Sequence, residues 1–380
     1  MKSILVVAPQ PFFQERGTPI AIKALVCALE ELNYKITLYT LLEGEDIPLP
    51  SNVTVKRASY PKFLLNLRPG FSFKKVIVDF YLVSEVLKEL QLKSYDIVLA
   101  VEESAIFLSL LSQIGDKLIV DMDSDIVDQL ANRSVVFRAL RPICEYLYKL
   151  PFKNSRAVIA VTKDLAARAV SLGANQAYVL EDFSPPYSNE LDPQLLELKG
   201  DSKVIFYCGN FERYQGLELL FDSLVILKKN LPNFKLFLVG GHEKLISENR
   251  KVCQAKNLLD HVYFFGPQPQ DKLGLFFNIC DCVVSPRLFG TNTPMKIYSY
   301  MASGKPIVAT KIRSHTQVLS MDCAFLSELT PEDLSRSILR ALQSPERQAK
   351  AERAKKLWSE HFTQEEFKRK VKAIFKELAS

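Results

Sequence analysis

The sequence predicts an α/β protein of two doubly wound parallel-sheet domains, on three observations. Strand-like and helix-like segments alternate from end to end, the alternation restarts at Lys203, and a polar, proline-containing join lies between the halves. Such alternation is the pattern of parallel sheets covered by helices on both faces. With 380 residues, 48% of them hydrophobic, the chain can bury two sizeable cores.

In the first half, β-branched runs predict strands at 4–8, 35–40, 53–57, 96–101, 117–122, 157–161 and 178–180. Helical patterns such as 19–32 and 74–90 fall between them. An amino-terminal domain is therefore expected at 1–184, followed by a linker at 185–202, where FSPPYSNELDPQLLELKGD replaces apolar runs with prolines and polar residues. In the second half VIFYCGN, FKLFLVGG, HVYFFGP, DCVVSP and KPIVAT predict the strands of a domain at 203–344. The remainder, 345–380, is rich in Lys, Glu, Arg and Ala and holds two helical patterns whose basic residues read as a solvated face.

Composition excludes several classes of function. A net charge of +6 fits phosphorylated ligands or an anionic surface and is too mild to argue for nucleic acid. The seven cysteines are odd in number and scattered. Cys280 and Cys282 lie in an apolar strand-like run, so core packing is expected rather than a metal, in a reducing compartment. No segment approaches the roughly 18 apolar residues of a membrane span. MKSILVVAPQPFF reads as a first strand and not as a secretory signal, because Pro9 and Gln10 interrupt its short apolar run. The expected location is the cytoplasm, free or on the inner face of a membrane.

The most informative stretch is TNTPMKIYSYMASGKPIVAT, residues 291–310. Thr293 is placed to cap a helix and Pro294 to occupy its first position. Free N–H groups near Met295 then favour a phosphate, and Lys296 adds a full charge. Gly304 is expected to end the helix in the left-handed conformation. A second Gly-Thr-Pro helix start, Gly17 and Thr18, follows the first strand, where ligands of open α/β sheets bind; Gly17 reads equally as a residue of a tight turn. No G-x-G-x-x-G follows any expected strand, which disfavours a nicotinamide-dependent dehydrogenase.

PFFQERGTPIAIKAL, DMDSDIVDQL, YCGNFERYQGLELL and SPRLFGTNTPMKIYSYMASGKPIVAT occur in this order over nearly the whole chain. In that order they resemble the family 4 glycosyltransferases of the GT-B fold. The resemblance implies two Rossmann-like domains, a carboxyl-terminal helix returning to the first, and a retaining transfer without cofactor or metal. Its partners would be a nucleotide-sugar donor, on the second domain, and a glycan or lipid-linked acceptor, on the first.

Carried over residue by residue, the family's phosphate loop falls on Gly209, Asn210, Arg213, Gln215 and Gly216. Asn210 and Gln215 stand where the family has basic residues, which leaves Arg213 as the cation of the loop and the expected pyrophosphate clamp. The family's two glutamates fall on Thr291 and Ser299, neither acidic. Uncharged contacts from Thr291, Asn292 and Ser299 are expected in their place, each contributing about 0.5–1.5 kcal/mol. The family's first-domain histidine falls on Asp123, since all four histidines lie in the second half. Asp123 would orient an acceptor hydroxyl or stabilise charge at the sugar carbon. Alternatively Asp121, Asp123 or Asp125 only caps the following helix.

Two further readings are weighed. DMDSD has the spacing of a D-x-D metal site, which the tandem domain pattern and the separate phosphate-binding residues oppose. YPKFLLNLRPGFSFKKVIVDFYL interleaves Lys62, Arg68, Lys74 and Lys75 with Phe63, Leu64, Leu65, Leu67, Phe71 and Phe73, as suits an anionic bilayer or, equally, the rim of a core. The expected function is a glycosyltransferase of cell-surface glycan or glycolipid synthesis. The alternative is a non-catalytic sugar-nucleotide-binding or assembly protein on the same fold.

Overall fold

The structure, a computed structural model, describes residues 1–14, 17–65, 72–133 and 135–378. The chain divides into two compact units, Met1–Glu181 with Phe367–Ser380, and Asp182–Glu366.

The first unit runs β1 (Ser3–Val7), α1 (Gly17–Glu30), β2 (Lys35–Thr40), β3 (Val53–Arg57), α2 (Phe73–Leu92), β4 (Ile97–Val101), α3 (Ser104–Leu108), β5 (Leu118–Met122), α4 (Ile126–Arg133), α5 (Val135–Ala139), α6 (Arg141–Asn154), β6 (Ala157–Ala160), α7 (Lys163–Ser171) and β7 (Ala177–Val179). Its strands pair in parallel in the order β3-β2-β1-β4-β5-β6-β7. Every residue of β4 and β5 is buried. Strands covered on both faces need apolar side chains at successive positions, which is why they read as continuous runs. Chain order reverses between β1 and β4, so the segments leaving these two strands diverge and leave a crevice at their carboxyl ends.

The second unit runs α8 (Pro193–Lys199), β8 (Lys203–Cys208), α9 (Leu217–Asn230), β9 (Phe234–Val239), α10 (Glu243–Ala255), β10 (Val262–Phe264), α11 (Leu273–Ile279), β11 (Cys282–Ser285), α12 (Met295–Ser303), β12 (Ile307–Thr310), α13 (Arg313–Thr316), β13 (Phe325–Ser327), α14 (Pro331–Gln343) and α15 (Arg347–His361). The parallel order is β10-β9-β8-β11-β12-β13, with its reversal between β8 and β11. Cys280 and Cys282 are buried free thiols of this core. The sequence reading omits β13. From Phe367 on, α16 (Gln364–Glu377) packs with the first unit, through Lys368 to Glu31 at 2.6 Å, Lys370 to Glu181 at 2.9 Å and Phe375 against Tyr34. Among the described residues no helix is long and apolar enough to cross a membrane.

Candidate functional site

Two loops of the second unit leave β8 and β11, the strands that flank its reversal point, and are tied together. Leu288 N–H donates to the Tyr214 carbonyl at 2.9 Å. Gly216 lies so close to the other loop that a Cβ would stand 2.0 Å from the Pro286 carbonyl oxygen, and its φ is +75°. Gly216→Ala is expected to part the loops and to cost more than the ~1–2 kcal/mol of the left-handed conformation alone. A denaturant midpoint equal to the parent's would refute this.

Two cations are buried where these loops meet. Lys296 is 9% exposed; its ammonium donates to Gln215 Oε1 at 2.9 Å and lies 3.9 Å from the Tyr207 ring centre. Burial pushes its pKa down to about 7. Arg287 is 7% exposed and donates to the carbonyls of Phe289 and Asn292, at 2.9 and 3.0 Å, and to Asn292 Oδ1 at 3.1 Å. Among the described residues neither forms an ion pair. Beneath them His315 is fully buried between Ser285 Oγ, 2.9 Å from Nε2, and the Thr310 carbonyl, 2.8 Å from Nδ1. Burial lowers its pKa to about 3, so the ring is neutral and adds no third charge. Isolated buried cations are costly, and an anionic ligand would relieve both.

The sequence-expected residues take distinct places around this pair. Gly209 lacks the Cβ that would stand 2.8 Å from the Lys296 ammonium, at φ +142°, so the lysine lies against bare backbone. Asn210 shapes the loop, accepting from Glu212 N–H at 3.2 Å and from Tyr207 OH, at 2.6 Å, on its carbonyl. Gln215 is buried against Lys296; a second lysine there would set two ammonium groups together, which explains a neutral side chain at a position basic in the resembling family. Arg213 is exposed at the start of a short turn, Arg213–Gln215. The Thr291 carbonyl accepts from Gln317 at 3.0 Å, while Asn292 holds Arg287. Ser299 is buried and meets Ser184 Oγ at 3.3 Å.

One local expectation is corrected. Pro294, extended at φ −67° and ψ 135°, is the cap residue, and Met295 opens the helix one position later than the sequence reading has it. Thr293 therefore sits outside the helix, 2% exposed, its buried hydroxyl without a hydrogen-bond partner among the described residues. The N–H groups of Met295 and Lys296 still head the helix, and Gly304 ends it at φ +67°. Arg287 is the residue that sequence reasoning missed. An arginine two residues past a strand is common, and only its burial marks it.

In the first unit α1 begins at Gly17, and the Thr18 side chain hydrogen-bonds Asp123, which follows β5. Capping of α4 falls to Asp125, whose Oδ1 accepts from Asp128 N–H at 3.1 Å while Oδ2 accepts from Arg168 at 2.8 Å. Asp123 is left to other work. Burial raises its pKa to about 6. Beside it Glu102, after β4, has left-handed backbone at φ +51° and accepts from Ser124 Oγ at 3.0 Å on each carboxylate oxygen. Burial first, then the Asp123 charge, raises the Glu102 pKa well above the usual carboxylate range. Glu102 was not legible in the sequence, where VEES looks like an ordinary strand end. No group of three or more His, Cys, Asp or Glu among the described residues is arranged to hold a metal.

The basic-aromatic stretch needs one correction. Lys75 does not face solvent; it is buried, paired with Asp79 and, at 2.6 Å, with Glu103, and so anchors α2 beside Glu102. Leu64 is buried core, and Leu67, Arg68 and Phe71 lie outside the described residues.

Comparison with known proteins joins these observations. Residues 188–358 match the family model described as glycosyl transferases group 1. Lipopolysaccharide 1,2-N-acetylglucosaminetransferase of Salmonella typhimurium is 27% identical over 202 residues, 51% of this chain and 52% of that protein. The chain thus matches about half the length of such curated relatives. Among solved structures, sucrose-phosphate synthase from Thermosynechococcus elongatus superposes with TM-score 0.82 at 17% identity, covering 100% of both chains. Anabaena Alr3699/HepE, solved with UDP and glucose, does so with TM-score 0.76 at 16% identity, again over 100% of both. The expected GT-B fold is borne out along the whole chain, and within the second unit residues 188–358 are similar to the glycosyl transferases group 1 family.

Proposed function

We propose that this chain is a nucleotide-sugar-dependent glycosyltransferase that moves a sugar to an acceptor hydroxyl in glycan or glycolipid synthesis. The observation that carries the reading is the pair of buried, uncompensated cations, Lys296 and Arg287, at the reversal point of the second sheet and beside the start of α12. That is the electrostatic complement of a diphosphate. Gly209, the Met295 and Lys296 N–H groups and the exposed Arg213 would complete the phosphate site, with Thr291, Asn292 and Thr293 offering uncharged contacts to donor hydroxyls. The named ligands of the Anabaena neighbour, UDP and glucose, support a uridine nucleotide donor. The name of the Salmonella relative supports a glycolipid acceptor, and the cytoplasm is the compartment that fits.

In the reaction proposed, the bond from the sugar carbon to the leaving diphosphate breaks and a bond from the acceptor oxygen to that carbon forms on the same face. A leaving phosphate oxygen takes the acceptor proton. Negative charge grows on the diphosphate in the transition state, so cations already aimed there lower the barrier. Asp123, with Thr18, would hold the acceptor hydroxyl on the first unit. With two protein cations for the diphosphate, a divalent ion is superfluous.

Thermal unfolding with UDP in excess chelator tests the reading. At 100 times its dissociation constant a ligand adds roughly 2.7 kcal/mol, a clear shift. The shift should be equal with magnesium or manganese present; a shift that needs the metal would return DMDSD to consideration, and no shift under either condition would sink the donor assignment. Release of UDP from UDP-sugars with pooled acceptors then separates an enzyme from a binding protein, which would be stabilised yet release nothing.

A further inference from the structure

The two buried cations of the second unit have no carboxylate among the described residues, but each faces a tyrosine ring. The Lys296 ammonium stands 3.9 Å from the ring centre of Tyr207, and the Arg287 guanidinium carbon stands 5.4 Å from that of Tyr214. Asn210 joins the two rings: its carbonyl accepts from Tyr207 OH at 2.6 Å, and its side-chain N–H donates to Tyr214 OH at 3.3 Å. Tyr214 is also held from the opposite loop, where Phe289 lies 6.0 Å away between ring centres. The rings thus come from β8 and the turn after it, while the cations come from the segments after β11.

A ring face suits a cation that must later meet phosphate. Its negative quadrupole attracts the cation, most strongly where water is excluded, yet the ring carries no net charge. A carboxylate in the same place would repel an arriving diphosphate. Donors also remain available. Lys296 gives one hydrogen bond, to Gln215, and Arg287 gives three, to Phe289 and Asn292, out of the three and five N–H groups that these side chains carry. The other titratable groups around Lys296 supply no negative charge at neutral pH. Burial raises the Cys208 thiol and the Tyr207 and Tyr300 phenols, His315 is neutral, and Arg287 is itself positive.

We propose that Tyr207 and Tyr214 are positioning residues of the donor site, whose ring faces hold Lys296 and Arg287 in place of carboxylates and leave their remaining N–H groups for phosphate. This role rests on the diphosphate reading of the site. It adds that neutral groups, joined through Asn210, keep the unliganded site charged and ordered.

Calorimetric titration of UDP into the full chain from about pH 6 to 8.5, on both sides of the Lys296 value of about 7, tests the role. Tyr207→Leu should weaken UDP binding about tenfold at about pH 8, and the fall of affinity with pH should begin lower than in the parent, because an ammonium without its ring loses its proton more readily. Tyr207→Phe keeps the ring face and should keep both properties. Tyr214→Leu should weaken binding about fivefold without moving that pH, since a guanidinium does not titrate in this range, and Tyr214→Phe should bind as the parent does. Uridine binding should be the same in all. Added to Lys296→Met, Tyr207→Leu should weaken UDP binding no further, whereas a ring that only supports the fold would weaken it again. Circular dichroism and melting temperature show whether each variant folds; should Tyr207→Leu unfold, the Tyr214 variants make the same comparison at a half-buried position. A parent chain that binds no UDP would overturn the donor reading and this role with it. A parent that binds UDP, with leucine variants equal to it or phenylalanine variants no better than leucine, would overturn this role alone.

Discussion

Lys296→Met should bind UDP roughly 10- to 150-fold more weakly than the parent chain, the loss of one charge-assisted phosphate contact of about 1.5–3 kcal/mol. Binding of uridine alone should change little, because a nucleoside offers the ammonium no phosphate. The parent should also show a pH signature that the variant lacks. Burial holds the free Lys296 pKa at about 7, so above that pH the side chain is largely neutral before UDP arrives. A bound diphosphate favours the ammonium and raises its pKa, so binding takes up a proton and affinity falls as pH rises through about 7. Calorimetry in two buffers of different ionisation enthalpy measures that uptake. Equal affinity in parent and variant, or a parent without proton uptake, would move the phosphate elsewhere. Arg287→Lys is the companion: it keeps the charge, loses the planar fork that grips Phe289 and Asn292, and should weaken UDP binding less than Lys296→Met.

Asp123→Asn should lower turnover at least about tenfold while leaving UDP affinity within a few-fold, as loss of a contact made on the acceptor side requires. The same variant should be more stable than the parent at neutral pH. The folded pKa of Asp123, about 6, lies above its unfolded value of 3.8, so stability is fullest below pH 3.8 and falls as pH rises to about 6, beyond which the cost is constant. Asparagine carries no charge to desolvate, and on the order of 1–3 kcal/mol should be regained above pH 6. Parent turnover should rise with pH through about 6 as Asp123 ionises, with Glu102 retaining its proton to higher pH. UDP release and melting temperature across about pH 5 to 8, a window that spans the Asp123 titration at about 6, give both readouts. A variant that is active, or active and no more stable, would return Asp123 to a structural role.

The difference between Arg213 and Arg287 shows where sequence reasoning stops. Arg213 sits in the loop that the family resemblance marks, and it is exposed. Arg287 has no such mark, and it is the one buried beside Lys296's helix start, because folding brings the β11 loop against the β8 loop. Lys296 itself was legible, as a cation two residues past Pro294 at a helix start, though its cap was misassigned by one position. Proline's fixed φ suits the extended cap position as well as the first helical turn, so the sequence does not discriminate between them. The carboxylate pair divides in the same way. Asp123 could be proposed as the counterpart of the resembling family's first-domain histidine, but Glu102 acquires its raised pKa only because β4 and β5 are neighbours and their ends share one desolvated space.

By itself the sequence determined the architecture. Runs of apolar β-branched residues, separated by amphipathic helices and interrupted once by a polar join, leave little choice other than two parallel sheets, because burial on both faces imposes that pattern on each strand. Tertiary structure alone decided which charges lack partners. Lys75, read as a surface cation, finds Asp79 and Glu103, whereas Lys296 and Arg287 find no carboxylate among the described residues. Whether a charge is paired depends on distances of a few ångströms between segments far apart in the chain, which local periodicity does not encode.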